Sequence, residues 1–233
     1  MPSSLDSEAW PRGSLLAGLS PKMQAVVLEL GTPVMFGSHH VLLREGERST
    51  HVILLVDGFV KVTATTQEGR LALLAIRVGG EIVGELGSLD DQPRSADVTT
   101  VGRVHGRVIT QADFRRCLAE HAEIALAVAR NVGQKLRWAT RRRIDFAGLE
   151  VKVRLARVLV ELAARYGRDT ADGLMIDLEL TQPELAALVG AAEPTIHKAL
   201  AELRRRGVIE TRYRCTVVRD LVALCAAAGV DPP

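Results

Sequence analysis

Two groups of residues in this 233-residue chain have the types and spacing to do chemistry. The first is Val83-Gly84-Glu85-Leu86-Gly87, followed by Pro93-Arg94-Ser95-Ala96. Glycine permits a close backbone approach, and consecutive N–H groups in a tight turn can cradle an anion. Arg94 can pair a phosphate through two parallel N–H bonds, and Ser95 adds a hydroxyl donor. Glu85 can only accept while ionised, so it suits a sugar hydroxyl and not a phosphate. One ligand with an anionic end and a hydroxylated end fits the set, and a nucleotide is such a ligand. Turn glycines beside a surface Arg–Glu ion pair would leave the same trace. Gly79 to Gly84 also copies the opening of a phosphate-binding loop. Glu85 stands where that loop requires lysine, which excludes a nucleoside triphosphatase of that kind.

The second group lies near the other end. Thr181-Gln182-Pro183-Glu184 has the capping-box form, a hydroxyl N-cap with glutamate three residues on. A helix from there to Leu188, a glycine-bearing turn at Val189–Ala192, and a helix from Glu193-Pro194 to Arg206 closed by Gly207 make a helix-turn-helix. Ala186, Leu188, Ile196 and Leu200 supply its small core. Val208–Val218 then reads as two short strands around Arg212–Arg214, a wing. The second helix should enter a DNA major groove with Glu193, Thr195, His197 and Lys198 facing out. Glutamate can accept from cytosine N4, and lysine can donate to guanine O6 and N7. Arg204, Arg205, Arg206, Arg212 and Arg214 suit phosphates, which add affinity and little sequence information. Thr181 and Gln182, at the start of the first helix, join the DNA-facing set. Solvated helix faces would carry the same charges.

These groups need a scaffold, and the chain has the composition for one: 47% hydrophobic, 25% charged, 3% aromatic, so the cores are aliphatic. The net charge of +2 hides an asymmetry, −3 over residues 1–114, +6 over 115–143 and +5 over 198–219. Apolar runs such as Val52–Val56 and Leu71–Ile76 are too short to span a membrane. The acidic Met1–Pro11 segment lacks a secretory pattern, so a cytoplasmic protein is expected. Cys117, Cys215 and Cys225 are scattered, which excludes a disulfide scaffold, and no metal-ligand cluster is seen.

Residues 1–13 read as a flexible leader, and Pro21 to Leu30 as a short helix with Ser20 as N-cap. From Val34 to Thr110, short β-branched runs alternate with turns at Glu45-Gly46, Asp57-Gly58, Glu68-Gly69, Gly79-Gly80 and Gly106. That texture predicts a sandwich or barrel without a useful helix, with His51–Thr65 and Arg70–Val78 as a hairpin. Beyond Gln111, Ile124, Val128, Val132 and Leu136 repeat every four residues along one helix face. A helix of about 25 residues reaches roughly 37 Å, so this stripe is expected to be a homodimer seam, the alternative being packing on its own barrel. Val151–Tyr166 reads as a helix, Gly167–Gly173 as a loop and Met175–Leu180 as a strand. The expected domains are 14–114 for ligand sensing, 115–147 for the dimer helix and 148–233 for DNA binding.

With Gly84-Glu85-Leu86 and Arg94-Ser95-Ala96 ahead of a long helix and a winged helix-turn-helix, residues 14–220 resemble the Crp/Fnr family of bacterial transcription regulators. The resemblance implies an α+β fold: an N-terminal β-roll of the cyclic-nucleotide-binding type, a dimerisation helix and a C-terminal winged helix-turn-helix. It implies a homodimer on a near-palindromic double-stranded DNA operator, RNA polymerase as a partner, and no enzymatic activity. Glu85 would take the ribose 2′-hydroxyl, and Arg94 and Ser95 the cyclic phosphate of an effector such as cAMP or cGMP. Gly84, Leu86 and Ala96 would frame the pocket. Lys135 stands where cAMP-binding members have an arginine supporting the glutamate. The chain departs from the pattern at Ala139-Thr140, where those members have Thr-Ser reading the adenine, and by one residue fewer between Glu85 and Arg94. It departs again at Glu193-Pro194 and Lys198, so a different operator is expected. A regulator with a vestigial pocket, or with another nucleotide effector, is the alternative.

Overall fold

The computed structural model describes residues 10–66, 69, 71–178, 180–212 and 215–232. They fall into two compact units. The first holds the described residues up to Val62 together with Ile76–Gln134, and the second holds Thr63–Ala75 and the described residues from Lys135 onward.

Helix α1 (Pro21–Glu29) precedes strands β1 (Thr32–Phe36), β2 (Val41–Leu43) and β3 (Val52–Thr65), and the end of β3 with Leu71–Ala75 of the next strand is counted in the second unit. Strands β4 (Leu71–Val78) and β5 (Ile82–Val83), helix α2 (Glu85–Asp90), strand β6 (Asp97–Ile109) and helix α3 (Gln111–Glu120) follow. The sheet runs β1-β6-β3-β4, with β2 also on β6 and β5 also on β3. Strand β6 pairs antiparallel with β1 through Val104–Val108 and with β2 through Val98–Thr99. Successive residues of a strand face opposite ways. Val52 and Leu54 enter one core with α1, α3 and the start of helix α4 (Ala122–Gly148), while Ile53 and Leu55 enter another with Val83, Val98 and Val104. Both faces are buried, which is why Val52–Val56 is apolar without alternation.

Several expectations are corrected here. Asp57-Gly58 and Gly106 are not chain reversals but lie inside the long strands β3 and β6, where glycine lets a neighbouring backbone come close. A Cβ on Gly106 would sit 3.0 Å from the Leu54 carbonyl oxygen. The turn at Glu68-Gly69 and the hairpin start at Arg70 include residues outside the described ones. A six-residue helix, α2, occurs in this stretch, where no helix of useful length was expected. Trp10, assigned to the leader, packs on the first core. Ser20 is the N-cap of α1 but makes no side-chain cap; its N–H and hydroxyl donate to Glu123 at 2.7 and 3.1 Å.

The long helical segment breaks at His121, so residues 115–120 belong to α3. On α4 the expected seam divides. Ile124 and Val128 are buried in the first unit's own core, and Val132 packs against it. Leu136 is 66% exposed. The four-residue spacing drifts around a helix of 3.6 residues per turn, so one stripe cannot face one partner throughout.

The second unit holds α5 (Val151–Tyr166), β7 (Gly167–Thr170), β8 (Gly173–Ile176), α6 (Gln182–Val189) and α7 (Glu193–Arg205). Strands β9 (Ile209–Arg212) and β10 (Cys215–Val218) and helix α8 (Leu221–Ala228) complete it. Its antiparallel sheet is ordered β7-β8-β10-β9. The expected loop at 167–173 is therefore a hairpin, and the strand expected to reach Leu180 stops at Ile176. Leu188, Ile196 and Leu200 are buried as the helix-turn-helix core. Among the described residues no helix is long and apolar enough to cross a membrane.

Candidate functional site

Strand β5 leads into Gly84, whose φ of +82° is left-handed, and α2 begins at Glu85. The Arg94 backbone is fixed to the loop before β3: its N–H donates to the Glu47 carbonyl at 2.9 Å, and Gly46 N–H donates to its carbonyl at 2.8 Å. The side chain then turns inward. Nε donates to Ser49 Oγ at 3.1 Å, Nη1 to the Gly84 carbonyl at 2.6 Å and Nη2 to the His51 carbonyl at 2.5 Å. Arg94 is 4% exposed and Glu85 5% exposed. A Cβ on Gly84 would lie 2.7 Å from Arg94 Nη1, so both the left-handed backbone and the packing require glycine.

The electrostatics follow from this burial. Desolvation lowers the Arg94 pKa from its ordinary value, and the charges of Glu47 and Glu85 oppose the shift. Burial lowers His51 as well, Arg94 adds to the shift, and Glu47 opposes it. The named acceptors take three of the five N–H donors a guanidinium carries, and the other two have no named acceptor among the described residues. A buried cation, a buried carboxylate and the exposed Ser95 hydroxyl therefore gather in one unit, a donor set that suits a phosphate bonded to a ribose. Ala96 is buried and Leu86 is exposed. Lys135 and Thr140 belong to the second unit, half-buried and exposed respectively on α4.

Sequence reasoning missed what holds α2. From α3, Gln111 Nε2 donates to the Ser88 carbonyl at 2.9 Å and to Asp91 Oδ1 at 2.7 Å. Arg115 donates to the same two acceptors, each at 2.9 Å. These bonds, Arg115's first, hold the Asp91 carboxyl below its ordinary pKa. Asp91 has φ +57°, a left-handed residue closing α2. Asp-Asp-Gln-Pro ahead of Arg94 was the available hint of a helix end.

In the second unit the capping box is formed as expected. The Thr181 hydroxyl accepts from Glu184 N–H at 3.4 Å and Thr181 N–H donates to Glu184 Oε2 at 2.9 Å. That hydroxyl is therefore engaged within the protein. Gln182 is half-buried, with Oε1 buried and unpartnered among the described residues. On α7, Glu193, Thr195, His197 and Lys198 are all exposed, while Ile196 and Leu200 are buried. His197 Nε2 lies 3.6 Å from Glu193 Oε1, one turn away. Arg204 Nη1 donates to Thr211 Oγ1 at 3.0 Å, joining α7 to the wing.

Arg212, expected to face DNA phosphates, is engaged in ion pairs within the chain. It donates to Glu210 and to Asp172, each at 2.6 Å, and Arg219 shares both carboxylates. Those bonds raise the Arg212 pKa and lower Glu210 and Asp172. Arg214 lies outside the described residues. Asp172 and Arg219 were not anticipated, because the pairing of β8 with β10 brings them together from distant sequence.

Residues 33–121 match the model of the cyclic nucleotide-binding domain, and residues 153–227 that of the Crp-like helix-turn-helix domain. The chain is 30% identical over 221 residues to a CRP-like cAMP-activated global transcriptional regulator of Mycobacterium tuberculosis, covering 95% of this chain and 99% of the relative. A solved CRP/FNR-family transcriptional regulator from Thermus thermophilus superposes with a TM-score of 0.69 at 26% identity, covering 84% of this chain and 98% of that one. The c-di-GMP responsive global regulator CLP of Xanthomonas campestris superposes at 0.71 with 21% identity, covering 85% and 99%, a likeness of fold.

Proposed function

The chain belongs to the Crp/Fnr family of transcription regulators, DNA-binding proteins that are not enzymes, and from that premise we propose a homodimeric regulator whose affinity for its operator is set by a cyclic nucleotide. The observation that carries the ligand half is Arg94, a buried cation beside Glu85, with two N–H donors that have no named acceptor among the described residues. Arg94 and Ser95 would take the cyclic phosphate and Glu85 the ribose hydroxyl. Lys198 and Glu193 on α7 would read base edges, and Arg204, Arg205 and Arg206 would neutralise phosphates.

The dimer seam is assigned afresh. Leu126, Gly133 and Thr140 recur at seven-residue spacing on α4, with Leu136 three residues beyond Gly133. Leu126 and Leu136 are exposed large apolar side chains. Leu126 and Leu136 would supply apolar positions of a two-stranded helical seam, with Gly133 and Thr140 as its small positions.

Calorimetric titration tests the ligand reading. A 3′,5′-cyclic nucleotide, cAMP or cGMP, is expected to bind one equivalent per chain, with binding weakened by Glu85→Gln and by Ser95→Ala. Heat from neither cyclic nucleotide would overturn it. A second reading, a different nucleotide effector, is favoured by one feature: Ala139-Thr140 offers one hydroxyl where the cAMP-binding pattern has two. Heat from cyclic di-GMP alone would select it.

A further inference from the structure

At the end of α4 two neighbouring side chains are gripped by two arginines of α5. Asp145 takes Arg157 Nη1 at 2.5 Å, and Arg157 Nε donates to the Ala228 carbonyl at 2.9 Å. Next to it, Arg154 lies over the Phe146 ring, its guanidinium carbon 4.7 Å from the centroid. Arg154 Nη1 donates to the Phe146 carbonyl at 3.2 Å, and Nη2 donates to the Gly190 carbonyl at 2.9 Å. Gly190 is the turn of the helix-turn-helix, with φ +68°. The Phe146 ring fills the space a side chain there would need, since a Cβ on Gly190 would lie 2.7 Å from Phe146 Cε2. All these residues belong to the second unit.

We propose that Arg154 is a positioning residue for operator reading: with Phe146 it fixes the turn between α6 and α7 to the last turn of α4. The physical case rests on the shape of the guanidinium. Its planar fork reaches two carbonyls from different elements while its face covers an aromatic ring, which a single-point ammonium cannot do. Arg154 is half-buried, and both of its Nη groups donate to carbonyls here, so the side chain is held at this place by two elements at once. The consequence belongs to a two-fold assembly. Two recognition helices reach two half-sites one helical turn apart only if each is held at a fixed angle to the helix joining them. Loosening that grip costs ordering entropy on a full site and nothing on a half-site.

This inference rests on the dimeric reading above, and its test separates the two. An operator is selected with the unaltered protein from random duplexes, and affinity is measured for that full site and for a duplex keeping one half-site. The unaltered protein is expected to prefer the full site. Its failure to do so would remove the dimeric reading, and this proposal with it, before any variant is measured. Arg154→Gln and Phe146→Leu are each expected to weaken full-site binding about tenfold, within the range of measured coupling between sites, and to leave half-site binding and its salt slope unchanged. The double variant is expected to be no weaker than the weaker single one, because both act through one contact. Arg154→Lys, which keeps the charge, is expected to show most of the loss. Equal loss on half and full sites would mean damage to the head or direct DNA contact, and would overturn the proposal. So would full recovery with lysine, or no loss at all.

Discussion

Arg94 has two tasks, and its substitution must be read with both in mind. It would pair the ligand phosphate, and it also satisfies the half-buried carbonyls of Gly84 and His51. A stranded buried acceptor costs about 1–3 kcal/mol, so Arg94→Ala is expected to lower the melting temperature as well as ligand affinity. Ser95, exposed, is the cleaner probe. His51 gives a pH dependence with a definite sign. Its pKa lies below the ordinary 6.5 in the folded chain, through burial first and then Arg94. The unfolded chain therefore takes up the proton first as pH falls, so this stabilisation is present above about pH 6.5 and lost as pH falls toward the folded value. Scanning calorimetry should show that loss in the unaltered protein, and His51→Gln should reduce it; an unchanged slope in the variant would contradict this. On the DNA side, Lys198→Ala should cost ~1–3 kcal/mol on the operator and little on random duplex. Arg212→Ala should weaken both duplexes alike but change the salt slope by less than the value of about one for an unengaged arginine. Binding phosphate there means giving up Glu210 and Asp172.

Helix α4 shows how far element-scale pattern carries. A long helix was legible from its lack of proline and its apolar repeat, but which face met which partner was not. Periodicity marks a buried face without saying what buries it, and Ile124 and Val128 turned out to serve their own unit's core. This makes the seam testable. Leu136→Glu should shift the protein from dimer to monomer in sedimentation and lower its melting temperature only by the lost association. Val128→Glu should lower the melting temperature sharply, because it places a charge in an apolar core. A monomer at micromolar concentration for the unaltered protein, or no effect of Leu136→Glu, would contradict the assignment. The capping box at Thr181 and the turn at Gly190 were readable because their chemistry is local. The clamp of Gln111 and Arg115 on Ser88 and Asp91 joins residues at least twenty positions apart, and no short window of sequence contains it. Gly58 and Gly106 misled for a related reason: glycine marks a turn and a close strand crossing equally well.

Over the whole molecule, two sites must act as one device. The order of elements, a strand-rich unit, a long helix and a winged helix-turn-helix, was legible because each has its own residue texture. The coupling between sites is a free energy and leaves no such texture. An effector shifts a protein between states only by the difference in its affinity for them, so tight binding alone would not make a switch. Thermodynamic linkage also requires that DNA strengthen effector binding by the same factor as effector strengthens DNA binding. The most direct measurement is the affinity of the full chain for its selected operator without nucleotide and with saturating cyclic nucleotide. The expected change is roughly 5- to 150-fold, the usual range of such coupling, abolished by Glu85→Gln at the same nucleotide concentration. Identical operator affinity with and without bound cyclic nucleotide would contradict it.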